Sequence, residues 1–112
     1  MAKIRYSDIA VYDKVIAERI ICDFFDAKQS PELADKQVKI FFQELERHEK
    51  LLSDNPELYQ VRFFSPSTGR PIRSFSCHWF VVFYIYEKET DAVVIWFIRP
   101  SKSDYSDIVY LI

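Results

Sequence analysis

Trp79-Phe80-Val81-Val82-Phe83-Tyr84-Ile85-Tyr86, the turn Glu87–Asp91, and Ala92-Val93-Val94-Ile95-Trp96-Phe97-Ile98 decide how this chain folds. The residues are β-branched or aromatic, and a short polar turn separates the runs, so they predict an antiparallel hairpin. Phe80, Val82, Tyr84 and Tyr86 alternate with Trp79, Val81, Phe83 and Ile85; Val94, Trp96 and Ile98 alternate with Val93, Ile95 and Phe97. Side chains of a strand point to opposite faces in turn, so neither face of this hairpin is polar and both need cover. The second run ends in charge at Arg99 and passes into a polar tail carrying Lys102 and Tyr105.

Working towards the N-terminus, Leu58–Phe64 and Pro71–Ser76 alternate as strands around the turn Ser65-Pro66-Ser67-Thr68-Gly69, which holds the chain's single glycine. Cys77-His78 is a tight connection to the central hairpin. Upstream the period becomes helical. Ser30-Pro31-Glu32 supplies a cap residue, a proline at the first helical position and an acid in the first turn, and Asp54-Asn55-Pro56 ends the segment. Its stripe is Leu33, Ala34, Val38, Phe41, Phe42, Leu45 and Leu52. A first helix carries Ile9, Val15, Ile16, Ile20 and Phe24, and a short edge strand at Lys3–Tyr6 precedes it. The expected fold is α+β in two layers, with an N-terminal helical hairpin packed on one face of a small, mainly antiparallel sheet. The second apolar face is then expected to take a partner, with Tyr84, Tyr86 and Trp96 as its binding residues. A tail folded back through Ile108, Val109, Leu111 and Ile112 is the competing reading.

At 112 residues, 49% hydrophobic, the chain makes one compact domain with a sizeable core. One glycine argues against glycine-rich nucleotide loops, and no P-loop or dinucleotide fingerprint is present. A net charge of −2 gives no global field for nucleic acid, so any such contact needs a local basic patch. Cys22 and Cys77 stand alone, and His48 and His78 lack partners at metal-ligand spacing; no cofactor or metal is expected, and the thiols read as reduced. With no apolar signal segment behind Lys3 and Arg5, and apolar runs shorter than the ~20 residues of a membrane span, a cytoplasmic protein without membrane association is expected.

The order of these parts resembles the ParE/RelE superfamily of bacterial toxins from type II toxin–antitoxin (plasmid stabilisation) modules. The resemblance covers about Asp8 to Asp107. It is carried by Ser30-Pro31-Glu32-Leu33-Ala34, Leu51-Leu52-Ser53-Asp54-Asn55-Pro56-Glu57, Arg73, Val81-Val82-Phe83-Tyr84 and the last strand leading to Arg99. It implies a growth-inhibiting protein neutralised by a cognate antitoxin. One branch inhibits DNA gyrase; the other cleaves mRNA on the ribosome, using strand arginines and lysines with a tyrosine or histidine near the C-terminus. Arg73, Arg99 and Tyr105 match the cleaving pattern in position, with Arg70 and Lys102 as neighbouring target-binding cations. The tail lacks a histidine, Pro100-Ser101-Lys102-Ser103 replaces the family's arginine there, and the charge is acidic; these departures favour the gyrase-inhibiting branch. A non-toxic interaction module on the same fold is the third reading.

Cleavage through a 2′-hydroxyl needs a proton acceptor, a leaving-group donor and cations for the phosphate. Arg73 and Arg99 could share one phosphate, their planar forks each binding two oxygens, with Tyr105 carrying a proton or stacking a base. The plainer reading makes them strand-end charges paired with Glu57, Asp91 or Asp104. His78 reads as a turn residue and His48 as a boundary residue of the second helix.

Overall fold

The computed structural model describes residues Met1–Ile108 and Leu111. The sheet order is β1-β5-β4-β3-β2, formed by β1 (Lys3–Tyr6), β2 (Val61–Phe64), β3 (Pro71–Cys77), β4 (Phe80–Glu87) and β5 (Ala92–Pro100). β1, at the Lys3–Tyr6 edge strand read from the sequence, comes before the helical hairpin and runs parallel to β5, so the hairpin is not the first element and the sheet is mixed. The other pairings are antiparallel.

Helix α1 (Asp8–Ala27) starts where Ser7 leaves β1, its hydroxyl accepting the Ala10 N–H at 3.0 Å. Helix α2 (Pro31–Asp54) follows after three residues, so the two lie antiparallel. Gln29, at φ +55°, makes the reversal. Pro31 opens α2 as expected, but the Ser30 side chain makes no capping bond. Ala10, Ala17 and Ile21 of α1 and Phe41, Leu45 and Leu52 of α2 are buried against Phe75, Cys77, Phe80, Val82, Tyr84, Val93, Ile95 and Ile98 of the sheet. Truncating Phe41, fully buried and edge-on to Phe80 at 5.1 Å, would cost about 3–5 kcal/mol.

The opposite face is covered by the chain itself. Ile72, Val81, Phe83, Ile85, Phe97 and Ile108 form a second cluster, flanked by Phe63, Trp96 and Tyr105. Ile108 is fully buried, so the tail closes over this face, where an external partner was expected to be needed. The contributions expected of Val109 and Ile112 lie outside the described residues.

A β-bulge at Trp96 explains how β5 serves two cores. Phe83 pairs with Phe97 and Tyr84 with Ile95, which leaves Trp96 as the extra residue. Val93, Ile95 and Ile98 therefore share the helix side, while Phe97 packs on the tail side. Simple alternation would have put Ile98 with Trp96. The bulge lies where β1 ends, since β1 pairs β5 only from Ala92 to Ile95. Beyond it α1 supplies the missing partner: the Ile98 N–H donates to buried Asp13 Oδ2 at 3.0 Å. Ser7 Oγ donates to the Trp96 carbonyl at 2.8 Å. Side chains thus satisfy an edge that would otherwise offer free backbone groups.

Candidate functional site

Cross-strand register assigns each candidate side chain to a face. Ser76, Val81 and Arg99 form one row on the tail side, and Ser74, Phe83 and Phe97 form the next. Arg73 has the other parity: it pairs with Tyr84, which faces the helices. Arg73 and Arg99 therefore point to opposite faces and do not converge on one phosphate. Arg73 instead donates to the Tyr59 carbonyl at 2.7 Å and to Glu57 Oε2 at 3.2 Å, bracing the approach to β2.

The other predicted residues also separate. Arg70 pairs with Glu87 at 3.5 Å, and Arg5 with the same carboxylate at 3.1 Å. Lys102 lines a different groove, with Ile20, Phe24 and Trp79. Tyr105 lies on the tail-side face, its ring edge-on to Phe83 at 5.2 Å. Arg99 carries its guanidinium over the Phe97 ring at 5.2 Å. Of the predicted set, Arg99 and Tyr105 share a face.

Tyr84, Tyr86 and Trp96 do not form one partner surface. Tyr84 is enclosed in the helix-side core, where burial raises its phenol to about 12. Tyr86 packs at the edge of the same cluster and donates to Asp91 Oδ1 at 2.7 Å. Trp96, at the bulge, belongs to the tail-side cluster.

The residue that sequence reading missed is Arg62. It occupies the irregularity between Val61 and Phe63 in β2, donates to Ser74 Oγ and the Tyr105 hydroxyl at 3.4 Å each, and lies over the Tyr105 ring at 5.5 Å. Its signal was a lone cation in an otherwise apolar edge run, Val61-Arg62-Phe63-Phe64. With Gln60, Val61, Ser74, Ser76 and Val81 it lines a groove of about 200 Å³. Arginine forks, serine hydroxyls and an aromatic ring can hold oxyanions and planar groups.

Among the described residues, neither a histidine nor a carboxylate lines this groove. Both histidines serve the helix side. His48 hydrogen-bonds the Tyr59 hydroxyl and stacks on Phe75 at 4.4 Å; burial lowers its pKa. His78, at φ +54°, donates from Nε2 to Gln37 Oε1 at 2.7 Å, and its backbone N–H donates to Glu44 Oε2 at 2.8 Å. Cys77 is buried and its thiol is pushed up to about 12 by burial and by Glu44, which leaves it a poor nucleophile. Among the described residues no group of three His, Cys, Asp or Glu side chains could hold a metal ion, and no helix is long and apolar enough to cross a membrane.

Charge is divided between the layers. Residues 8–54 carry eleven acids and seven bases, whereas the rest of the chain carries six acids and eight bases. A net acidic chain thus keeps a sheet half richer in cations. No family model matches the chain, and no curated protein is significantly similar to it.

Proposed function

We propose that this chain is the growth-inhibiting member of a bacterial toxin–antitoxin pair, acting in the cytoplasm and silenced by a cognate antitoxin. It acts by binding a target of the gyrase type through the tail-side sheet face, without chemistry of its own. The observation that carries this choice is the composition of the groove: Arg62, Ser74, Ser76 and Gln60, with no histidine or carboxylate among the described residues to accept a proton. Such a set grips and does not easily cleave. The resemblance in the order of helices, strands and Arg99 supports the class.

A second reading, ribosome-dependent mRNA cleavage, is favoured by the contact between Arg62 and Tyr105 on the face that also carries Arg99. There Arg62 replaces Arg73 as the second cation, and Tyr105 is the one candidate to move a proton.

Induced expression in a bacterial host without the antitoxin separates these readings. The binding reading expects growth arrest with a DNA-damage response, intact transcripts, and loss of supercoiling by purified gyrase when the purified chain is added. Cut transcripts with unimpaired gyrase would transfer the assignment to the second reading. Unimpeded growth at high expression would leave a non-toxic interaction module.

A further inference from the structure

Helix α1 meets the core chiefly with small side chains and shows larger ones to solvent. Its buried positions are Ala10, Asp13, Ala17 and Ile21. Val15 and Ile16, which helical spacing alone would turn inward, are instead exposed together with Val11 and Tyr12, at 59%, 38%, 50% and 65%. At 3.6 residues per turn these four straddle the line opposite the buried set, as two pairs spaced i, i+4, and so form one continuous patch. Single apolar residues scattered on a surface are ordinary; four adjoining ones along the outer side of a helix mark an interaction site.

Charge brackets the patch. Asp8 precedes it and Arg19 follows it, both close to the same outer line, and neither is in a salt bridge among the described residues. The other charges of the segment are placed elsewhere. Asp13 is turned to the Ile98 N–H, Lys14 lies over the Tyr6 ring at 4.0 Å, and Glu18 stands about a quarter-turn round the helix.

The order is symmetric about the midpoint between Asp13 and Lys14. Tyr12 and Val15 stand nearest it on either side, Val11 and Ile16 next, and Asp8 and Arg19 lie equally far out, each about 8 Å along the axis. A second α1 laid antiparallel on the first, about a twofold axis through that midpoint, sets Tyr12 against Val15 and Val11 against Ile16. It also brings Asp8 of each copy to Arg19 of the other. A parallel pair in register would oppose like charges.

We infer that the outer face of α1 between Asp8 and Arg19 is a self-association surface, through which two copies of this chain pair antiparallel as a symmetric dimer. The patch is small beside the ~800 Å² per partner of a standard interface, so the dimer dissociates at on the order of 10 μM. Because α1 packs on the sheet face opposite the tail-side cluster, pairing leaves both tail-side faces open. The dimer does not depend on the proposed function.

Sedimentation velocity of the purified full-length chain between about 1 and 300 μM tests it, and should follow the passage from monomer to dimer. Val15→Glu should raise the dissociation constant at least about 30-fold by burying a charge at the centre of the interface, with the melting temperature unchanged because Val15 belongs to neither core. Asp8→Lys and Arg19→Asp should each weaken the dimer about tenfold, because both symmetry-related pairs turn repulsive at once. Mixing these two single variants should restore association to within about threefold of the intact chain, since the mixed pair again opposes unlike charges at both ends.

A chain that stays monomeric throughout, or a dimer indifferent to Val15→Glu, would overturn the proposal. So would single charge reversals without effect, or no recovery on mixing. Should either charge variant fail to fold, Val15→Glu alone decides: an undiminished dimer overturns the proposal, and a lost one upholds it.

Discussion

Asp13 shows how much can rest on one side chain. Its carboxylate replaces a strand that β1 is too short to supply, accepting the Ile98 N–H at 3.0 Å, and burial raises its pKa against the opposing pull of that N–H and of Arg99. Asp13→Ala leaves a buried donor unpaired and is expected to lower stability by about 1–3 kcal/mol, while Asp13→Asn, which keeps an acceptor, costs less. Urea titration of the three chains measures the difference. His48 sets an acid limit in a similar way. Its folded pKa lies below the ordinary value of 6.5, chiefly through burial, so the unfolded chain binds the proton more readily. Stability from this residue is complete above pH 6.5 and declines as pH falls from there towards the folded pKa. The melting temperature should drop between pH 7 and pH 5, and His48→Gln should flatten that drop; an unchanged slope would remove His48 as its cause.

Among elements, the bulge in β5 carries the most consequence. With Trp96 set aside, Ile95 and Ile98 face the helices and Phe97 faces the tail; without it, every residue after Ile95 changes face. Deleting Trp96 should abolish cooperative folding, whereas Trp96→Ala, which keeps the register, should leave a measurable unfolding transition. Circular dichroism during heating distinguishes them. This is also where sequence reading reached its limit. Helical spacing from Ile9 to Phe24, the Ser30-Pro31-Glu32 start of α2 and the Ser65–Gly69 turn were legible because each is a local signal, and β3, β4 and β5 lie within a few residues of expectation. In a run apolar at every position, however, nothing local marks where one residue drops out of the ladder. The opposed faces of Arg73 and Arg99 were hidden for a related reason, since parity across three strands depends on turn lengths and on the pairing of Arg73 with Tyr84 and Arg99 with Val81. Arg62 became a site residue only through the return of the tail, a contact across 43 positions.

For the whole molecule, a helical layer rich in acids backs a sheet whose far face presents Arg62, Arg99, Ser74 and Ser76, with the tail packed through Ile108 on its apolar centre. The apolar excess of Trp79–Ile98 is thus divided between two internal cores, and the binding face proposed above is the polar and basic margin left around the second. Arg62 and Arg99 are in no salt bridge among the described residues, but Arg99 pulls on buried Asp13, so removing the two charges without reversing them should alter binding far more than stability. The most direct measurement is growth of a bacterial culture after induction of the intact chain or of its Arg62→Gln/Arg99→Gln form, with melting temperatures of both purified proteins as the control for folding. Arrest by the intact chain, and normal growth with an equally stable double variant, is the predicted result. Unimpeded growth with the intact chain, or undiminished arrest by the double variant, would contradict it.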